Sequence, residues 1–323
     1  MTETTSLLHE SIMVCDMTFP WSHMGLRPLG EAALERMARN GVDFVSLTIA
    51  LDWHGVETTI RTIAAERAFI RANSDRYVLA QSVADIREAK QNGKLALGFH
   101  FQGTNPVSYD IGLIEVYYQL GIRHMLMCYN LKNSVGDGCQ EETDSGLSRF
   151  GRQLVAEMNR VGMLVDISHT GYRTSMDTIE ASSTPVITSH SNPRALCDHT
   201  RNVPDDQLLA CAATGGVIGV VGFSKVLGND KDVRAKHMVQ HIEYLIDLVG
   251  PQHVGLGIDY VYDQNFDMRT VWSPHYSGRP VGVLEPEELP NVTELLLARG
   301  HSEDVIRKVM GENWLRVAES VWK

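Results

Sequence analysis

Residues 164–201, LVDISHTGYRTSMDTIEASSTPVITSHSNPRALCDHTRN, decide the fold. Two short apolar runs, Leu164–Ile167 and Pro185–Thr188, are each followed at once by Ser-His: Ser168-His169 and Ser189-His190. Between them, Arg173–Ser182 has helical spacing. The order is strand, histidine, helix, strand, histidine. Parallel neighbouring strands would set both imidazoles at one sheet end, where the ligand sites of α/β folds collect. Two histidines converging from adjacent strand ends make a metal half-site.

Working outward, the same rhythm repeats. Upstream lie apolar, β-branched runs at Ser11–Thr18, Val42–Ile49, Leu95–Phe101 and Arg123–Tyr129. Downstream lie Val217–Phe223 and His253–Tyr260. Helical patterns separate them at Leu29–Arg39, 57–72, Val83–Gln91, Ile111–Leu120, Gly146–Val161, Asp205–Ala213 and Val233–Val249, several stopped by glycine. Pro290–Trp322 reads as two or three closing helices. Strands this uniformly apolar belong to parallel sheets covered on both faces. Eight βα units in 323 residues match a TIM-like (β/α)8 barrel with extra C-terminal helices. The competing open, doubly wound sheet would want a glycine-rich phosphate loop after strand one. Asp16-Met17-Thr18-Phe19-Pro20 offers none. No linker or repeat divides the chain, so residues 1–323 are expected to form a single domain. The longest irregular stretches, Asn130–Ser145 and Val261–Glu288, both follow strands, on the barrel face that carries active sites.

Bulk properties exclude several classes. A net charge of −11 with no basic block argues against nucleic acid and anionic membrane partners. No apolar run approaches the roughly twenty residues of a membrane span. The 5 cysteines are scattered, odd in number and without CxxC spacing, which suits reduced thiols in a cytoplasmic enzyme.

A barrel reading collects the polar residues at strand ends: Asp16, Thr18, Gln102, Tyr129, His169, His190 and Asp259. A lone histidine is more often a hydrogen-bonded loop cap than a ligand. Two Ser-His repeats on adjacent strands reverse that preference. Neutral imidazole suits Zn²⁺, with Fe²⁺ or Mn²⁺ as alternatives. Asp259, in Gly255-Leu-Gly-Ile-Asp259, could hold a water and take its proton, or pair with loop amides. Arg201 could clamp a substrate carboxylate, or brace its loop through Asp205 or Asp206. Tyr129 could donate to an oxyanion or simply pack.

These residues resemble the membrane (renal) dipeptidase family. The resemblance lies in Glu157–His169, Pro185–Ser191, Arg201-Asn-Val-Pro-Asp205, Gly255–Asp259 and Gly311-Glu-Asn-Trp-Leu-Arg-Val317. It implies an amidohydrolase-type barrel and a dinuclear zinc site that hydrolyses dipeptides. Carried over, His169 and His190 match the histidines of one zinc, Asp259 the general base and Arg201 the carboxylate anchor. The other half departs. The family's His-x-Asp on strand one falls on Asp16 and Thr18, its bridging glutamate on Gln102, and its carbonyl-polarising histidine on Tyr129. Two Zn²⁺ ions repel strongly, and a neutral amide at residue 102 cannot offset that. The expectation is therefore one Zn²⁺, or another divalent ion, on His169 and His190, with Asp16 a candidate third ligand. Asp259 and Tyr129 are the expected catalytic groups. Arg201, Gln102 and Asn130 are expected to contact a dipeptide-like or small amide substrate. Family habit also suggests a homodimer. The alternatives are a lyase, isomerase or lactone hydrolase on the same site, or a small-molecule binding protein that has lost catalysis.

Overall fold

Burial along both faces of the strands explains the architecture. The computed structural model describes residues 3–21, 27–228, 233–262 and 282–323. Nine strands occur among them: β1 (Cys15–Phe19), β2 (Phe44–Leu51), β3 (Tyr77–Leu79), β4 (Leu95–Gln102), β5 (Ile122–Leu126), β6 (Leu164–Asp166), β7 (Val186–Ile187), β8 (Ile218–Val220) and β9 (Val254–Leu256). β2 and β4 are buried at every position. Helices cover the outside of such parallel strands and side chains fill the inside. The order is β7-β6-β5-β4-β2-β1-β9-β8, parallel throughout. A bridge between Thr188 and Ile218 links β7 to β8. Eight strands thus form a nearly closed (β/α)8 barrel, followed by C-terminal helices.

The ninth strand departs from the sequence expectation. β3 pairs alongside the first half of β4, with Tyr77 opposite Leu95. At three residues it is too short to show a periodicity. A helix, Glu3–Ser11, precedes β1, which begins at Cys15 rather than Ser11. Of the expected irregular stretch Val261–Glu288, residues 263–281 lie outside the described residues.

The helices form for local reasons. In Arg149–Val161 the buried residues Leu154, Val155, Met158 and Val161 fall on one stripe. Ser148 caps its start by accepting the Gly151 N–H at 3.0 Å. Gly162 ends it at φ 90°, and a Cβ there would lie 2.7 Å from the Val321 carbonyl. The C-terminal helix Asn313–Val321 closes the barrel's N-terminal end. Trp314 packs among Met13, Phe44, Leu164 and Ile187, and its indole N–H donates to the Leu256 carbonyl at 3.0 Å. The opposite end carries the polar strand ends. Among the described residues, no helix is long and apolar enough to cross a membrane, and all five cysteines are unpaired.

Candidate active site

β6 and β7 deliver the two histidines as the sequence suggested. His169 Nε2 and His190 Nε2 face each other at 3.0 Å, and both rings are buried. His169 sits at φ 64°, a left-handed conformation that L-residues rarely adopt. Its Nδ1 lies 2.7 Å from Asn130 Oδ1. That amide oxygen accepts only, so Nδ1 carries the proton and Nε2 presents a lone pair. His190 Nδ1 lies 2.7 Å from Ser189 Oγ and 3.0 Å from Thr18 Oγ1. Hydroxyls can donate or accept, so His190 can hold its proton on either nitrogen. Two lone pairs 3.0 Å apart repel; one proton or one cation must lie between them. Burial pushes both imidazoles well below the usual histidine range, and the Arg201 charge adds to this. Both are neutral near pH 7.

A single metal ion fits this pair. Two nitrogens on one tetrahedral zinc, at 2.0–2.1 Å each, stand about 3.3 Å apart, close to the spacing here. Among the described residues, no group of three or more His, Cys, Asp or Glu is placed to hold a metal ion. Asp16, expected as the third ligand, is not gathered with the pair. Its Oδ1 accepts the Ile258 N–H at 2.8 Å and the Thr18 N–H at 3.2 Å, bracing β1 against the chain after β9. Thr18 bonds the His190 ring, and Gln102 donates to Thr48 Oγ1 at 3.0 Å. Of these three side chains only Asp16 is a carboxylate.

Asp16 Oδ2 is buried without a hydrogen-bond partner. Burial pushes this carboxyl up to about 8; the Ile258 and Thr18 amides oppose the rise and Asp259 adds to it. A carboxyl raised in the folded state supplies stability at low pH that is lost as pH climbs toward 8. Asp16→Asn keeps the accepting oxygen and removes the titration. The variant should match wild type at about pH 3, below the ordinary carboxyl value of 3.8, and exceed it by several kcal/mol at about pH 9. Urea midpoints at the two pH values check this. A parallel decline in both proteins would mean that Asp16 does not carry the proton.

Asp259 also has left-handed backbone, φ 57°, and its N–H donates to the Thr18 carbonyl at 3.1 Å. Its carboxyl is buried and makes no hydrogen bond to a described residue. Burial raises it to about 7, against the pull of Arg201. Arg201 is itself buried. Its Nη2 donates to the His190 carbonyl at 2.9 Å and its Nη1 to Ser191 Oγ at 3.2 Å, while Nε has no partner. Arg201 and His169 line a cavity of about 200 Å³ whose other walls include Arg194, Thr200, Tyr172 and Glu142.

Two expected contacts have other surroundings. The Asn130 amide oxygen is taken up by the His169 ring, so Asn130 orients an imidazole and is not free to bind substrate through that oxygen. Tyr129 lies flat on His169, with ring centroids 4.2 Å apart, and meets Trp53 edge-on at 5.6 Å. Sequence reasoning missed Asp52, which accepts from the amides of Thr104, Asn105 and Tyr129 and from Asn133 Nδ2, tying the loops after β2, β4 and β5 together. It also missed a polar layer inside the barrel, formed by Ser46, Thr48, His100, His124 and Asp166, all buried.

Known proteins share this fold and much of this sequence. The family model described as membrane dipeptidase (peptidase family M19) matches residues 7–323. The chain is 31% identical over 271 residues to an uncharacterized protein in the pqqA 5' region of Klebsiella pneumoniae, covering 81% of this chain and 95% of that protein. It is 30% identical over 289 residues to dipeptidase verJ of Clonostachys rogersoniana, covering 89% of this chain and 70% of that protein. A crystal structure of an amidohydrolase from Pseudomonas aeruginosa superposes with a TM-score of 0.89 at 38% identity, covering 98% of this chain and 99% of that one.

Proposed function

The chain belongs to the membrane dipeptidase family, peptidase family M19, and from that premise we propose that it hydrolyses a dipeptide or small amide with a free carboxylate, using no more than one metal ion. It is a metallopeptidase- or amidohydrolase-like enzyme of the dipeptidase type. The observation that carries the finer reading is the imidazole pair, with Nε2 atoms 3.0 Å apart beside a cavity that Arg201 also lines.

His169 and His190 are the residues that would hold the ion. When bound, it supplies Lewis acidity toward the scissile carbonyl and acidifies water. Arg201 meets the substrate carboxylate through its unpartnered Nε–H. Asp259, raised to about 7, accepts and returns a proton near neutral pH. Tyr129 stacks on His169 and is the donor assigned to the developing oxyanion. Asn130 and Thr18 hold the two rings from behind. The unpaired cysteines support a cytoplasmic location.

Metal analysis of protein purified without chelator tests the central claim. It should find up to about one zinc per chain, and His190→Ala should remove it together with dipeptide hydrolysis. Two zinc ions per chain, or hydrolysis that survives His190→Ala, would overturn the reading. Arg201→Ala should raise KM for carboxylate-bearing substrates by about 10- to 100-fold, the loss of one charge-assisted contact, with a smaller change in kcat. An unchanged KM would remove Arg201 from substrate binding. The incomplete ligand shell favours a second reading, a small-molecule binding protein on the same barrel. A chain that hydrolyses no dipeptide yet gains thermal stability from one would be that protein.

A further inference from the structure

We propose that Asp166 is the positioning residue for both imidazoles: one of its carboxylate oxygens fixes the two Ser-His turns in register, and His124 fixes that carboxylate. The inference rests on the reading of His169 and His190 as the reactive pair. Asp166 ends β6 and is fully buried. Its Oδ1 accepts the Ser168 N–H at 2.9 Å and the Ser189 N–H at 3.1 Å. These are the residues directly before His169 and His190. Ser168 Oγ accepts the His190 N–H at 3.1 Å and lies 3.2 Å from Ser189 Oγ, which touches the His190 ring. The two turns thus share one anchor. His169 needs it, because a left-handed histidine persists only where its surroundings over-determine it.

The anchor is itself held. Asp166 Oδ2 lies 3.3 Å from His124 Nδ1. His124 Nε2 lies 3.0 Å from Ser46 Oγ, which is 2.9 Å from His100 Nδ1. The His100 and His124 rings stack at 4.4 Å. His100 Nε2 reaches Thr48 Oγ1 at 3.0 Å, where Gln102 also donates. A connected buried chain therefore crosses the barrel from the imidazole pair to Gln102. Networks satisfied in this way are rigid. Burial alone would raise the Asp166 carboxyl; His124, with His190 and Ser189, outweighs it and holds the carboxyl at about 2, so it stays an acceptor. Both Asp166 oxygens are already engaged, Oδ1 by the Ser168 and Ser189 amides and Oδ2 by His124, so Asp166 acts through the two turns rather than on substrate.

Two variants separate position from charge. Asp166→Asn keeps an oxygen at the anchor and loses the charge. Asp166→Glu keeps the charge and moves the oxygen by one methylene. Co²⁺ titration followed by its visible absorption reads the geometry of the pair without relying on turnover. The expected order is wild type, then Asn within about threefold, then Glu weaker by at least about tenfold, as for other groups that orient metal-binding histidines. Dipeptide kcat should follow the same order with KM little changed. The reverse order, or both variants within about twofold of wild type, overturns the proposal. If neither variant folds, amide hydrogen exchange in the wild-type enzyme decides. Protection of both the Ser168 and Ser189 amides supports the shared anchor, and exchange of either at the rate of an open loop overturns it. His190→Ala, run alongside, separates this claim from the reading beneath it: Co²⁺ binding that survives that change overturns the pair as the site, and the anchor's role with it.

Discussion

Asp259→Asn is expected to lower kcat by about a hundredfold or more, the usual contribution of a positioned general base. The carboxyl stands at a strand end, buried, with no hydrogen bond to a described residue. Burial raises it to about 7, opposed by Arg201. A group titrating there is half-ionised at neutral pH, where a base is most effective. Asparagine has the same shape and tolerates the left-handed backbone at φ 57°. The bond from the residue 259 amide to the Thr18 carbonyl does not involve the side chain, so it survives the change. The wild-type rate should rise with pH through about 7, and the variant's residual rate should lack that limb. Stability should move the other way. A raised folded-state carboxyl supplies stability below its unfolded value of 3.8 that is lost as pH rises through about 7. At about pH 8 the variant should melt no lower than wild type and slightly higher if relief of this penalty dominates. Activity within about threefold of wild type, or an unchanged pH–rate profile, would exclude Asp259 as the base.

Sequence and structure agree most closely where side-chain type and chain position coincide. The Ser-His repeats could be placed because each ends an apolar run, and the barrel then had to bring them together. The interior layer was also written in the chain, at a period of two. Ser46 and Thr48, His100 and Gln102, and Asp16 and Thr18 alternate with apolar residues on their strands, as inward-facing positions do. Reading those runs as uniformly apolar hid Ser46, Thr48 and His100, whereas Gln102, Asp16 and Thr18 stood out as strand ends. Asp166 was overlooked for a different reason. In LVDISH it stands three residues before a histidine with a more obvious role. Nothing in its own run says that its oxygen reaches the amide of Ser189, 23 residues onward.

Direction is the property that a sequence conceals. Asn130 beside Tyr129 reads equally well as a substrate contact or as a brace, and only the 2.7 Å approach to His169 decides. Asp16 reads as a ligand, and only the structure shows that its Oδ1 sits between two amides while its Oδ2 is left without a partner. The short strand β3 and the helix Glu3–Ser11 fail for want of pattern. In that helix Leu7 is exposed and Leu8 buried, too few apolar positions to define a face.

Gly257→Ala should be the most destabilising small substitution near the site, and it tests how rigidly the imidazole pair is held. A Cβ at residue 257 would lie 1.8 Å from the Ser189 carbonyl oxygen, 2.8 Å from its carbon and 3.0 Å from His190 Cβ. Backbone cannot yield as a flexible side-chain tip can. The Ser189 segment is also pinned on its other sides, its N–H on Asp166 Oδ1 and the next N–H on Ser168 Oγ. Gly219 presses on the same carbonyl from β8, where a Cβ would stand 2.0 Å away. Ser189 thus has no direction of retreat, and the added methyl must displace either the chain after β9 or the turn that carries His190. Overpacking of this kind costs about 3 kcal/mol. Because the strain falls on the residue before His190, activity should drop even in the fraction that remains folded, since close-packed interiors transmit displacement. Gly55→Ala is the matched control: its added Cβ meets nothing within 4 Å and its φ is an ordinary −86°. Urea unfolding of the two variants, with kcat measured on the folded fraction, checks the argument. A Gly257→Ala protein as stable and as active as Gly55→Ala would mean that the Ser189-His190 turn can shift freely, and that the 3.0 Å spacing of the imidazoles is not held by the barrel.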